Sequence, residues 1–213
     1  HVATYAAKSY GMNSVALSRH SFAISRILRI PRPDKIIWCI ESFVDLIFRQ
    51  NTGIRVIGED HTIINNYIER TTGRDDAAIT VYAGVPNSPL NQYYVADNAY
   101  VANNTFVDVS GPHIEIGAGY PDRDRTILPT GVVIANNLSA QARVVNTSTD
   151  GPVVIGQGAG DPLYEGNIVS GVVTGSVPGG FTSASVPFSV GYYGLLRPGA
   201  DSAIVDASVN SSL

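Results

Sequence analysis

Short alternations of apolar and polar residues fill positions 53–69. Ile54, Val56 and Ile57 precede a Gly-Glu-Asp turn, and a second short apolar run follows it and ends in an Asn-Asn pair. A period of two over a few residues predicts β-strands, whereas a helix would need a longer run with a period near 3.6. The segment therefore predicts very short strands joined by tight bends.

The asparagine that ends this segment belongs to a repeat. An Asn-Asn or Gly-Asn pair returns along the chain, and its second residue is Asn66, Asn104, Asn137 and Asn167, at spacings of 38, 33 and 30 residues. Recurrence at such spacings is typical of stacked structural units. Asparagine suits a bend because it tolerates the left-handed backbone conformation and its amide can bond to neighbouring backbone. Asparagines at equivalent bends could also bond to one another along the stack.

These features predict an all-β fold, a parallel β-helix whose coils pair with their neighbours around a shared core. A β-sandwich is the alternative, but it would not repeat one dipeptide at each corner. The extra length between repeats falls in 83–93, 117–130 and 146–152, where Gly, Pro and Asn predict loops. Loop insertions on one face of a solenoid commonly build its binding surface.

Composition agrees with one domain over residues 1–213. Hydrophobic residues make up 44% and charged residues 15%, and the single cysteine, Cys39, excludes an internal disulfide. Residues 1–55 hold eight Lys and Arg against three Asp and Glu, a net charge of +5, and the remainder holds six against fifteen, a net of −9. A basic segment on an acidic body could attract a polyanion, although a solvated charged face is the simpler interpretation.

Residues 12–50 form an atypical segment. Glycine is absent between Gly11 and Gly53, and the only Trp and Cys of the chain lie there. One interpretation is a strand over 22–30 that presents Arg29 on one face. Another is a short helix over 37–47 that covers the open end of the solenoid, and a reading-frame slip restored near Asn51 would also produce such a composition. Residues 187–213 are predicted to be a C-terminal segment that covers the last coil.

The sequence Gly-Ile-Arg-Val-Ile-Gly-Glu-Asp-His at 53–61, with its continuation to 69, resembles polysaccharide lyase family 6, the family of alginate lyases and chondroitin B lyases. Positions 84–91, 100–106 and 194–202 are similar to the same family. The resemblance implies a right-handed parallel β-helix and cleavage of 1,4-linked uronate polymers, alginate first among them, by β-elimination. The family's complete catalytic helix is longer than this chain, so the domain is expected to be a partial one.

The resemblance also implies roles for individual residues. Lys8 and the serine after it are similar to the family's Lys-Ser pair, whose lysine is the base. Arg29 lies 21 positions later, at the family's spacing for the residue that assists as acid, although Ile-Pro follows it where the family has His-Gly. The residues implied to bind the substrate are Arg55, His61, Arg74 and Tyr82.

Each of these residues also has a structural alternative. Lys8 could be an exposed lysine near a terminus, Arg55 a surface arginine beside the strands, and His61 a histidine that hydrogen-bonds within its turn. The neighbouring Glu59 and Asp60 do not suggest a glycosidase pair, because adjacent turn residues point apart.

No metal or other cofactor is expected. Family members with calcium hold it through acidic residues seven and five positions before the lysine, and those positions here are His1 and Ala3. The expected partner is an anionic polysaccharide, without nucleic acid or membrane, and the oligomeric state stays open. The resemblance implies a secreted or periplasmic protein, although the chain shows no signal-peptide pattern. A non-catalytic carbohydrate-binding β-helix, a dermatan sulfate lyase and a structural β-helix without a sugar ligand are the alternative functions.

Overall fold

The computed structural model describes residues 26–32, 35–41, 46–47, 53–69, 77–89, 92–109, 111–140, 154–156, 160–171, 177–191, 195–202 and 204–210, with only the backbone described for 26–47 and 154–156. These residues form three parallel sheets. The first sheet contains β4 (Ile54–Val56), β7 (Ile79–Tyr82), β10 (Ile114–Ala118) and β13 (Val154–Gly156). The second contains β5 (Thr62–Ile64), β8 (Tyr100–Ala102), β11 (Val133–Ala135) and β14 (Leu163–Glu165). The third contains β3 (Leu46–Ile47), β6 (Tyr67–Glu69), β9 (Thr105–Val107), β12 (Leu138–Ala140), β15 (Asn167–Ser170) and β16 (Phe181–Ser183).

From β4 to β15, successive strands along the chain go to successive sheets, and each strand pairs in parallel with the equivalent strand of the next coil. The chain thus winds as a parallel β-helix, and the predicted fold class is confirmed. The strands of the three sheets have two to five residues, which matches the short alternations of the sequence. Among the described residues, no helix is long and apolar enough to cross a bilayer.

Inward-facing side chains stack in rows inside the coils. One row runs through Ile68, Phe106, Ser139 and Val169, which the strand register places beside one another. All four residues are buried, with exposures of 0 to 2%. Burial of such apolar rows contributes about 25 cal/mol for each Å² of apolar surface removed from water. The core is therefore a column of side chains that continues from coil to coil.

The recurring asparagines form a ladder between the second and third sheets. The Nδ2 of Asn66 donates to Oδ1 of Asn104 at 2.9 Å, that of Asn104 to Asn137 at 3.0 Å, and that of Asn137 to Asn167 at 3.0 Å. Each acceptor oxygen also receives the backbone N–H of the preceding ladder residue, at 2.9 to 3.0 Å. The predicted bonding between stacked asparagines is thereby confirmed.

The residue before each ladder asparagine has a different role. Asn65, Asn103 and Asn136 have φ values of 58°, 54° and 54°, and Gly166 has 59° in the last of these bends. This left-handed conformation is the one that asparagine and glycine adopt at low cost. The first residue of the pair therefore turns the chain, and the second ties the coils together.

The C-terminal residues pack along the side of the solenoid. Phe188–Val190 (β17) and Leu196–Pro198 (β18) form an antiparallel hairpin. Leu196 and Val186 cluster with Val107 and Leu138 on the outer face of the third sheet. The segment thus contacts the outer face of several coils rather than the last one alone.

Two side chains of the coils fix this segment. The backbone N–H of Leu196 donates to the hydroxyl of Tyr67 at 3.1 Å. Asn136 donates to the carbonyl of Val209 and accepts from its N–H, both at 2.9 Å. Because the tyrosine hydroxyl is partly buried, desolvation raises the pKa of Tyr67 to about 12, and the nearby Glu69 adds to this shift.

The atypical segment is partly described. Arg26–Arg32 (β1) and Lys35–Glu41 (β2) pair as an antiparallel hairpin, with Arg29 opposite Trp38, and β3 pairs in parallel with β6. The predicted helix over 37–47 is therefore wrong for 37–41 and 46–47. The strand alternative for 22–30 agrees with β1 from residue 26 onward. The apolar residues at 36, 37 and 40 are β-branched, and this composition favours a strand.

Candidate functional site

The outer surface of the first sheet holds the best-defined group of candidate residues. Arg55 on β4 is exposed, and its guanidinium carbon lies 5.9 Å from the ring centroid of Tyr82 at the end of β7. Tyr82 is 5% exposed, so it serves as a fixed platform rather than a mobile surface side chain. Of the predicted binding residues, these two are brought together.

Two loops beside Tyr82 form what we call the loop wall, which comprises the described residues 83–89, 92–95 and 119–130. The wall includes the described part of the predicted loop 83–93 and most of the predicted loop 117–130, whose start at 117–118 still belongs to β10. The third predicted loop, 146–152, lies outside the described residues. Gly84 and Ile127 join the two loops through reciprocal backbone bonds of 2.7 and 3.0 Å. These bonds hold the two loops side by side.

Glycine is required at the junction of the loop wall. A Cβ on Gly84 would lie 2.5 Å from the backbone nitrogen of Val95 and 2.8 Å from its Cα. Contacts this short with backbone atoms cannot be relieved by a rotamer change. Gly84 therefore allows the two ends of the first loop to approach each other behind the platform.

An aromatic and cationic stack fills the space between the loops. The rings of Tyr82 and Tyr93 lie 4.9 Å apart at 47° to each other. The guanidinium carbon of Arg125 lies 3.6 Å from the Tyr93 centroid and 5.0 Å from the Tyr82 centroid. Cations over aromatic faces at such distances are attracted by the ring quadrupole. Arg125 thus lies against both tyrosines, and Arg55 lies near the Tyr82 ring as well.

His61 takes part in its own turn. Its Nε2 lies 2.9 Å from the carbonyl oxygen of Ile57, and the ring is partly buried. As the donor in this bond, Nε2 carries the proton and leaves Nδ1 as an acceptor. This contact agrees with the structural alternative for His61 and leaves one nitrogen for a ligand hydroxyl.

The remaining predicted residues are not described in atomic terms. Lys8 and Arg74 lie outside the described residues, and Arg29 is described only as part of the backbone of β1. Convergence of Lys8 and Arg29 beside Arg55 stays a prediction. Across the described ranges, no three His, Cys, Asp or Glu side chains are grouped as metal ligands. His1 and Ala3 lie outside those ranges, so the expectation of no calcium site also stays a prediction.

Sequence reasoning missed Arg125 and Tyr93. Arg125 stands in the charged run 122–125, whose two aspartates suggest metal binding more readily than they suggest a buried cation. Its burial follows from its contacts with Tyr82 and Tyr93, which no local pattern specifies. The adjacent Tyr93 and Tyr94 were the one available signal, because paired tyrosines in a loop of a sugar-binding fold merit inspection as a stacking surface.

Comparison with known proteins identifies the family to which the chain is similar. A family model described as Chondroitinase B matches residues 45–166. The solved structure of the PL6 family alginate lyase AlyGC is similar with a TM-score of 0.59 and 35% identity, over 70% of this chain and 20% of that chain. A structure of AlyGC with one arginine replaced by alanine gives a TM-score of 0.58 and 34% identity over the same shares. No curated protein sequence gives a match.

The parallel β-helix and these matches define a polysaccharide lyase fold. The chain belongs to polysaccharide lyase family 6. It spans about a fifth of the length of the AlyGC chains that it matches. Lys8 and Arg29 precede the first residue of the family match, whereas Arg55, Tyr82 and the loop wall lie within it.

Proposed function

We propose that the protein cleaves 1,4-linked uronate polymers, alginate in the first place, by β-elimination. Membership of polysaccharide lyase family 6 carries this proposal, and the similarity to an alginate lyase structure favours alginate. Dermatan sulfate is the alternative substrate, because the matching family model is that of chondroitinase B. An enzyme acting on such polymers would work outside the cytoplasm, so we propose a secreted or periplasmic location.

The chemistry sets three demands. The C5 proton of a uronate is hard to remove because the adjacent carboxylate is already negative. The site must neutralise that carboxylate, supply a base and protonate the departing O4. We assign proton removal to Lys8 and assistance to the leaving oxygen to Arg29. A lysine can act as base when desolvation or nearby positive charge lowers its pKa.

Substrate binding is assigned to Arg55, His61, Arg74 and Tyr82. The position of Arg55 over Tyr82 supports this assignment, since it presents an exposed cation beside a fixed aromatic surface. A guanidinium binds a carboxylate through two parallel hydrogen bonds. Tyr82 supplies the fixed aromatic surface beside which the Arg55 guanidinium group lies.

The direct experiment measures the ultraviolet absorbance of the unsaturated uronate product, with alginate and dermatan sulfate as substrates. Lys8→Ala is expected to abolish product formation. The matched control is Lys35→Ala, because Lys8 and Lys35 are the only lysines of the chain. Folded wild-type protein that releases no product from either polymer would contradict the proposal, and so would an active Lys8→Ala variant.

A non-catalytic carbohydrate-binding β-helix is the second candidate. It is favoured by one observation, that both proposed catalytic residues precede the family match while the candidate binding residues Arg55 and Tyr82 fall inside it. This candidate predicts polymer binding that survives Lys8→Ala, with no product from either protein.

A further inference from the structure

The guanidinium group of Arg125 is buried and has no hydrogen-bond acceptor among the described residues. The residue is 6% exposed. Its guanidinium group lies against Tyr93 and Tyr82, and Gly119 leaves the space that its side chain occupies. A Cβ on Gly119 would overlap Nη1 and lie 2.7 Å from Cδ of Arg125. The loop is therefore shaped around this side chain.

Nothing in the described part of the chain neutralises this cation. Asp122 and Asp124 are close in sequence, but both are exposed and neither forms an ion pair with Arg125. The only hydrogen bond that joins these residues is between backbone groups, from Arg125 N–H to the carbonyl of Asp122 at 3.1 Å. The guanidinium group thus has stacking partners and, among the described residues, no acceptor for its N–H donors.

An unpaired cation at such depth is costly. Burial of a charged group without a compensating hydrogen bond disfavours the folded state in proportion to the loss of its contact with water. Cation–π contact with the tyrosines returns only about 1 to 2 kcal/mol of that cost. Stacking also uses the flat face of the guanidinium and leaves the N–H groups on its edge available. Its nitrogens are not among the fully enclosed, unpaired polar atoms of the described residues, so that edge remains accessible.

We propose that Arg125 binds an anionic group of the polysaccharide, a carboxylate or a sulfate, at a subsite on the loop wall. The class of polymer rests on the proposed function. Tyr93 and Tyr82 hold the guanidinium plane, and the anion accepts hydrogen bonds from its edge. Arg55 of β4 lies over the same Tyr82 ring, so the loop wall and the adjacent first sheet together present two cations to a polymer that repeats its negative charges.

The experiment compares binding by two arginines of one loop. Dissociation constants of the 213-residue chain are measured for alginate and for dermatan sulfate, with neutral dextran as the blank. Arg125→Gln is expected to weaken binding by about tenfold or more, the loss typical of a charge-assisted pair. Arg123→Gln removes the same charge from an exposed position in the same loop and is expected to change binding by less than about twofold, as for a solvated surface charge.

The two polymers identify the anionic group. A loss with both polymers assigns the uronate carboxylate, and a loss with dermatan sulfate alone assigns the sulfate. Equal weakening by Arg123→Gln and Arg125→Gln would overturn the proposal, because general electrostatic attraction would then explain both. If Arg125→Gln does not fold, Arg125→Lys decides, since it keeps the charge but loses the planar fork. Wild-type affinity in that variant would also overturn the proposal.

The outcome is distinguishable from that of the proposed function. Wild-type protein that binds a polyanion through Arg125 but releases no unsaturated product contradicts the lyase proposal and leaves this subsite standing. Protein that releases product while Arg125→Gln binds like wild type contradicts the subsite alone.

Discussion

The asparagine ladder and the loop wall solve the problem of buried polar groups in opposite ways. In the ladder, the side-chain amide of every asparagine hydrogen-bonds to an adjacent coil. The amides of Asn104 and Asn137 bond to the coils on both sides. In the loop wall, Arg125 is also buried, at 6% exposure, but its guanidinium donors have no acceptor within the described residues. Both regions depend on polar side chains beside short strands. The ladder is complete without a ligand, whereas the loop wall is completed by one.

The largest effect on stability is expected from breaking the ladder. Asn104→Ala removes the acceptor of the Asn66 amide and the donor to the Ile63 carbonyl, so buried polar groups lose their partners. We expect a loss of about 3 to 4 kcal/mol in the free energy of unfolding, measured with urea. Asn103→Gly is the control, because it removes an exposed neighbouring amide and keeps the left-handed conformation accessible. Similar losses in both variants would show that the ladder bonds are not the cause.

The second-largest effect on stability is expected from protonation of a core histidine, His113. His113 is 2% exposed, stacks on Phe106 at 5.5 Å, and neither ring nitrogen has a partner among the described residues. Burial lowers the pKa of His113 to about 4, whereas an unfolded chain would have a value near 6.5. The unfolded state therefore binds the proton first as the pH falls. Stability should decrease as the pH falls from about 6.5 to about 4, by about 3 kcal/mol in total.

The measurement for His113 compares urea unfolding of wild type and His113→Phe at several pH values. The variant keeps a ring of similar shape and removes both nitrogens, so its stability should fall less on acidification. Between about pH 7 and about pH 9 the histidine is neutral in both states, and the difference between the two proteins should stay constant there. An equal decrease in both proteins on acidification would contradict the assigned cause.

A smaller loss of stability is expected from a substitution at Gly166, where the C-terminal segment contacts a bend between two strands. A Cβ on Gly166 would overlap Oδ1 of Asn136 and lie 2.7 Å from Cγ2 of Val209, and the residue has a φ of 59°. Gly166→Ala should destabilise the fold by about 2 kcal/mol through backbone strain and displaced contacts. Gly179→Ala is the matched control, because no atom lies within 4 Å of the position that its new methyl group would occupy. Thermal unfolding of both variants tests the difference, and equal melting temperatures would contradict it.

The smallest expected change in the free energy of unfolding is an increase, from a substitution at Ser139. Ser139 lies in the apolar row between Phe106 and Val169, and its buried hydroxyl has no partner among the described residues. Ser139→Ala is expected to raise the free energy of unfolding by about 1 kcal/mol. Ser170→Ala should lower it instead, because the hydroxyl of Ser170 accepts a bond from Val186 N–H at 3.1 Å. Urea midpoints of the two variants moving in the same direction would refute this explanation.

Local sequence patterns specify the ladder corner better than the loop wall. An asparagine recurs at the equivalent position of successive coils, as at Asn66 and Asn104. Because a repeated residue has a repeated structural cause, the sequence predicted both the bend and the bonding between stacked asparagines. Arg125 occurs once, and its burial results from two loops that meet through Gly84 and Ile127, 43 positions apart. No periodicity encodes such a meeting. The alternative of a helix over 37–47 is wrong at 37–41 and 46–47 for a related reason, since apolar residues at helical spacing also fit a strand that pairs with a neighbour.

The contact between Tyr67 and Leu196 joins residues 129 positions apart. In a solenoid each coil touches only its neighbours, so such a fold can assemble progressively and fray from its ends. Here the last hairpin reaches back to the third-sheet strand of an early coil. During synthesis, the outer face of the third sheet stays uncovered until that hairpin has emerged. The segment thus couples distant coils of the stack, and its docking would convert a progressively assembled structure into one that unfolds more nearly as a unit.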